Sequence, residues 1–471
     1  MGRNRGSRWP GSICDRGAVR VPAEACAPQV IAPPGSPAAA LSVTRILGPC
    51  GRRLLAALAA ASPLKGHPIP GRITPAGGGS LPVLAARASD LDTESAFEML
   101  AKARALEAQG RDIVHLEIGE PDFPTPPHVR EAGQRALEAG ETRYVQAAGL
   151  PALREAVAEE IRRVRGVRID PEHVVVTTGG KPVIFYTALA VVGPRDEVLL
   201  PDPGFPIYAS AVRFAGGVPV PVPLRPEAGF RMRPEDLAER ITPRTRLLIL
   251  NSPSNPTGAV MPEEDLRRVA ALAERHDLWV LSDEIYLRLS YGPPLGPAPS
   301  FYALPGMAAR TILLDGFSKT HSMTGWRLGY AALPATLVET FVRLVVNSVS
   351  CTPPFVQAAG LTALGGDQGH VHAMLLEFAA RRQALVAALN AVPGIACAAP
   401  DGAFYAWADV RALGRTSGDL ADWLLHRAGV AVLPGTCFGS AGEGYLRLSY
   451  AASRETLAEA VRRIDAAVAG L

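Results

Sequence analysis

Lysine is nearly absent from this chain. Lys65, Lys102, Lys181 and Lys319 are the only four among 471 residues, and arginine supplies the rest of the 48 basic side chains. Covalent chemistry on a lysine amine therefore has few possible sites. Cysteine is sparse as well. Cys14, Cys26, Cys50, Cys351, Cys397 and Cys437 form no CxxC pair and no zinc-ligand spacing. That excludes a disulfide scaffold and points to reduced, buried thiols in a cytoplasmic protein. No apolar run reaches the roughly 20 residues of a membrane span; the nearest approach is Leu54 to Ala61. A GxxxxGK[ST] phosphate loop is missing too. With 48% hydrophobic and 20% charged residues, the composition excludes wholesale disorder.

The net charge of +3 conceals an asymmetry. Residues 1–75 hold nine arginines and Lys65 against Asp15 and Glu24, a net of +8, so subtraction leaves −5 for the remainder. A mildly acidic body argues against a nucleic-acid partner. Residues 1–78 are also proline-rich and lack any sustained period, so they read as a separate extension: a disordered tail, a targeting segment or the product of a misplaced start.

Beyond residue 79 the pattern becomes regular. Ser95 to Gln109 has helical apolar spacing, closed by Gly110, and Ile113 to Ile118 reads as a strand. Apolar strands follow at Val174–Val176, Glu197–Leu200, Leu247–Leu250, Leu278–Leu281 and Thr311–Leu314, with a helix over Pro262 to Arg275. Strands that are apolar throughout and separated by helices predict a largely parallel sheet buried on both faces. From about residue 365 a helix (Leu375 to Val392), strands at Phe404–Trp407 and Tyr445–Ser449 and a closing helix (Ser453 to Ala469) predict a smaller α+β domain. The expected division is a large domain over 131–364 and a small one combining 79–130 with 365–471.

Ligands of open α/β sheets bind beyond the carboxyl ends of the strands. There the sequence places Gly179-Gly180-Lys181-Pro182, Phe205, Asn251 and Asn255, Ser282-Asp283-Glu284-Ile285-Tyr286, and Ser318-Lys319. A Gly-Gly turn opening a helix presents backbone N–H groups of Gly180 and Lys181 to an anion. Asp283, at a strand end, needs a cationic or hydrogen-bonding partner, or else serves as a structural carboxylate. Lys319 has Ser318 and Arg327 nearby, both suited to phosphate. Arg447 alternates with Leu446 and Leu448, and is either an exposed strand residue or a bidentate carboxylate clamp.

Taken in order, these motifs resemble the class I/II aminotransferases, pyridoxal 5'-phosphate (PLP) enzymes of fold type I, and are most similar to the bacterial-type aspartate and aromatic branch. Ser318-Lys-Thr-His-Ser-Met-Thr-Gly-Trp-Arg327 carries most of the likeness, with Asn255-Pro-Thr-Gly258 and Ser282 to Tyr286 in the right order. The resemblance spans about residues 83 to 469. It implies a mostly parallel central sheet with helices on both faces, and a smaller α+β domain. It implies ping-pong exchange of an amino group between an L-amino acid and a 2-oxo acid, aspartate and aromatic amino acids included. Lys319 would carry PLP and move the proton; Asp283 would pair with the ring nitrogen; Tyr286 and Asn255 would bond the ring oxygen; Phe205 would stack on the ring. Gly180, Lys181, Ser318 and Arg327 would hold the phosphate. Arg447, helped by Gly119, would clamp the substrate α-carboxylate. Tyr144 would reach the neighbouring subunit's phosphate, which implies a homodimer. PLP-dependent β-elimination would use the same residues. A PLP-sensing transcription regulator would need a winged helix-turn-helix, of which residues 1–78 show no pattern. His321-Ser322 and Lys181-Pro182 depart from the commoner family residues.

Overall fold

The computed structural model describes residues 84–91 and 95–471, and Leu84–Leu471 forms one compact unit. The extension read over residues 1–78 lies outside the described residues. Thirteen strands are seen among those described: β1 (Val114–His115), β2 (Val174–Thr177), β3 (Glu197–Asp202), β4 (Val218–Pro223), β5 (Thr245–Asn251), β6 (Trp279–Asp283), β7 (Thr311–Gly316), β8 (Gly329–Ala332), β9 (Ala396–Cys397), β10 (Tyr405–Asp409), β11 (Val430–Ala431), β12 (Leu433–Pro434) and β13 (Tyr445–Ser449).

Seven of them make one sheet in the order β2-β8-β7-β6-β5-β3-β4. Strands β3 to β7 pair in parallel, and β8 runs antiparallel to both its neighbours. Alternation along each strand explains why these strands are apolar throughout. Val175, Ile249, Leu281 and Leu314 pack on one face with helices Lys181–Val191, Ile207–Phe214 and Ala335–Ser348. Val176 and Leu313 face the other way, against helices Pro151–Arg165 and Pro354–Gly365. Leu248, Leu250 and Val280 share that second face with helix Glu263–Arg275. The mostly parallel, doubly covered α/β sheet expected from the sequence is therefore present.

β4 was not anticipated, because its Val-Pro-Val-Pro-Val-Pro sequence contradicts a buried strand. It lies on the sheet edge, where the missing proline N–H groups break no ladder. Val218, its first residue, and Leu224, just past its end, donate to the carbonyls of Asp196 and Asp202.

The remaining strands form an antiparallel sheet, β12-β13-β10-β9, and a parallel pair, β1-β11. Helices Gly369–Ala391 and Arg454–Val468 cover them with Phe378, Leu385, Leu457 and Ile464. The strand expected over Ile113–Ile118 is regular only at β1; beyond it the backbone still bonds, Leu116 N–H to the Ala431 carbonyl and Ser449 N–H to the Leu116 carbonyl. Among the described residues, no helix is long and apolar enough to cross a membrane.

Candidate active site

The carboxyl ends of β2, β3, β5, β6 and β7 open into one cavity of about 550 Å³. Its lining includes Gly119, Gly180, Lys181, Phe205, Asn255, Asp283, Tyr286, Ser318, Lys319, Arg327 and Arg447. Every expected site residue except Tyr144 is brought to this space. The Tyr144 side chain is instead 87% exposed.

The floor is built from β6. Asp283 is its last residue and is buried, because the strand feeds it between apolar neighbours on both sheet faces. Its Oδ2 accepts a hydrogen bond from Tyr208 Oη at 2.6 Å and its Oδ1 one from the Ile285 N–H at 3.2 Å. Burial raises the carboxyl pKa to about 6, against the pull of Tyr208 and the Ile285 amide and with help from Asp315 and Glu284. Three residues on, the Tyr286 hydroxyl lies 2.7 Å from that of Tyr405. Burial first, and then Tyr405, raise its pKa well above the usual phenol value, so it remains an O–H donor.

One end of the cavity is built for an anion. β2 ends in the Gly179-Gly180 turn, and helix Lys181–Val191 begins there with its first amides unused by the helix. Gly179 has φ +92°, and a Cβ on it would lie 2.2 Å from Arg327 Nη2. The absence of that side chain is what lets the guanidinium approach. Arg327 Nη1 donates to the Thr324 carbonyl at 2.8 Å, and Ser318 is buried beside it in the lining.

At the other end Arg447 reaches in from β13, buried, with its guanidinium 4.5 Å above the Tyr405 ring and 4.9 Å from that of Phe438. Nη1 donates to Asn255 Oδ1 at 3.1 Å and Nη2 to the Glu117 carbonyl at 2.5 Å, while Nε has no hydrogen-bond partner. The exposed-strand alternative for Arg447 is thereby excluded. Between the two ends, Lys319 Nζ donates to the Gly119 carbonyl at 2.5 Å and lies 5.9 Å from the Tyr286 ring centre. Gly119 is needed there, since a Cβ would sit 2.2 Å from the Tyr405 hydroxyl.

Sequence reasoning missed Tyr208 and Tyr405. Tyr208 lies three residues after Phe205 at the start of helix Ile207–Phe214, a spacing that puts both on one side. Tyr405 pairs with no motif and arrives from β10 only through the tertiary fold. Of the two departures, His321 turns away from the cavity, its Nδ1 3.2 Å from His370 Nε2, whereas Lys181 lines it.

Known proteins resemble this chain over most of its length. Residues 111–464 match the family model described as aminotransferase class I and II. A probable aspartate/prephenate aminotransferase of Aquifex aeolicus is 41% identical over 390 residues, 82% of this chain and 98% of that protein. An aromatic-amino-acid aminotransferase of Thermococcus litoralis is 41% identical over 362 residues, 76% of this chain and 92% of that protein. The structure of a Thermus thermophilus aspartate aminotransferase with maleate superposes with a TM-score of 0.78 at 40% identity, covering 82% of this chain and all of the other.

Proposed function

The chain belongs to the class I and II aminotransferases, and we propose that its roles at the site are the following. The enzyme uses pyridoxal 5'-phosphate and moves an amino group between an L-amino acid and a 2-oxo acid in a ping-pong cycle. Bound PLP supplies an electron sink and the aldehyde carbon that takes up the amino group. Fit to PLP is supported by the glycine turn, where the missing Gly179 side chain admits the Arg327 guanidinium, and by a lining that holds two amines (Lys181 and Lys319), the buried carboxylate of Asp283 and the Ser318–Arg327 pair.

Gly180, Lys181, Ser318 and Arg327 hold the phosphate. Asp283 offers its buried charge to the ring nitrogen, oriented by Tyr208. Phe205 flanks the ring. Tyr286 and Asn255 hydrogen-bond its oxygen, and Asn255 also steadies Arg447. Arg447, with Gly119, fixes the substrate α-carboxylate, which points the Cα–H toward Lys319. The Lys319 Nζ takes that proton and returns it. Asp283, Lys319 and Arg447 in one cavity carry this reading: a partner for a cation, a base and a carboxylate anchor.

The substrates proposed are aspartate and aromatic amino acids. Lys181 Nζ lies 5.8 Å from the ring centres of both Phe97 and Phe205, so that wall offers a cation and apolar faces together. A two-domain division (131–364 against 79–130 with 365–471) is proposed on the confinement of the seven-stranded sheet to the first range. The same proposal includes a homodimer sharing Tyr144 and a cytoplasmic location, the latter supported by the free thiols of Cys351, Cys397 and Cys437.

The test is a visible spectrum of the purified enzyme with a panel of amino acids. A yellow cofactor band that bleaches with aspartate or an aromatic amino acid, returns with a 2-oxo acid and is absent in Lys319→Ala is expected. A band that no amino acid bleaches overturns the substrate assignment. Wild-type spectra in Lys319→Ala overturn the lysine's role.

A further inference from the structure

Glu117 is wholly buried, and its two halves make different contacts. Its carbonyl accepts the hydrogen bond from Arg447 Nη2. Its carboxylate Oε1 lies 2.8 Å from His115 Nδ1, and His115 Nε2 lies 3.0 Å from Glu107 Oε1. A carboxylate only accepts, and a neutral imidazole donates through one nitrogen. Both contacts are hydrogen bonds only when the ring carries both protons. Glu117 Oε2 has no partner, so the imidazolium is what compensates this buried carboxylate.

The groups facing His115 are Glu117 on its own segment and Glu107 from helix Ser95–Glu107. The paired strand β11 presents Val430 and Ala431. The ring is 31% exposed, so water can carry its proton. Burial disfavours the charge, but the bonds to Glu117 and Glu107 outweigh it and place the titration above the ordinary histidine value.

We propose that His115 is a positioning residue whose charge governs how tightly Arg447 grips a carboxylate. The proposal rests on the reading of Arg447 as the substrate clamp. With the proton present, Glu107, His115, Glu117 and Arg447 together are neutral, and the guanidinium charge is available to an incoming anion. With the proton gone, a buried negative charge stands uncompensated on the residue whose carbonyl touches Arg447. It repels the anion and releases the side-chain tie on the segment leading to Gly119.

The experiment is calorimetric titration of the holoenzyme with maleate, a simple dicarboxylate, across pH 6 to 9. In the wild type, the dissociation constant is expected to rise about fivefold or more as His115 deprotonates. His115→Gln, already lacking the charge, should bind weakly at low pH and lose that limb. His115→Lys, cationic throughout, should bind tightly across the range, and Glu117→Gln should remove the limb without loss of affinity. A limb that persists in both His115→Gln and Glu117→Gln, or is missing in the wild type, overturns the proposal. Arg447→Lys keeping wild-type maleate affinity would instead overturn the clamp itself, a separate result.

Discussion

At the scale of single residues, the site is assembled from groups that are costly to the fold without a ligand. Asp283 shows this best. In the cofactor-free chain its carboxyl titrates near 6 rather than 3.8, because burial penalises the charge. Between those values the folded state binds more protons than the unfolded one, so stability falls as pH rises through that window. The loss amounts to about 3 kcal/mol once the group is ionised. Asp283→Asn removes the penalty while keeping an acceptor for Tyr208. The cofactor-free variant is therefore expected to melt several degrees above the cofactor-free wild type at pH 8 and to match it near pH 4. Equal melting temperatures at pH 8 would show that the buried carboxylate costs nothing. Activity should be lost in the same variant, the usual exchange of function for stability at a site.

At the scale of elements, the carboxyl ends of the parallel strands were legible because each apolar run stops at a polar residue. Asp283 at the end of β6 and Ser318 just past β7 are marked in this way. The antiparallel β8 carries no such mark: Gly-Tyr-Ala-Ala is short, and its place between β2 and β7 is set by what lies on either side. Yet β8 fixes the anion cradle. Gly329 pairs with Thr177 and Gly316, and a Cβ on it would lie 2.7 Å from the Gly179 carbonyl carbon. Gly329→Ala must push β8 away from the glycine turn, at a cost of about 1–3 kcal/mol. Gly179→Ala acts instead through Arg327 and a strained φ. Both variants are expected to lose PLP on dialysis, followed by the loss of the cofactor band. Gly329→Ala should lower the melting temperature further, since it disturbs the sheet itself. Full cofactor retention in both would mean that the turn does not form the cradle. Tyr405 was illegible for a related reason: it sits on β10, far along the chain, and no local spacing relates it to Tyr286, whose hydroxyl it meets.

At the scale of the whole molecule, Tyr144 is the residue that one chain leaves unexplained. A tyrosine side chain 87% exposed, on the segment between helices Pro127–Glu138 and Pro151–Arg165, gains nothing by burial where it stands. If it serves a second subunit's site, the lesion can be moved between chains. In a hybrid dimer of Lys319→Ala with Tyr144→Ala, one site holds both lesions and the other holds neither. Mixing the two inactive or impaired proteins under conditions that exchange subunits should then restore activity, to about a quarter of wild type when half the dimers are hybrids with one good site each. If Tyr144 acts within its own chain, each hybrid site carries one lesion and mixing restores nothing. A Tyr144→Ala enzyme as active as wild type would remove the residue from the site altogether. Recovery on mixing requires both an exchanging oligomer and a site built across it, so one activity measurement tests the dimer and the role of Tyr144 together.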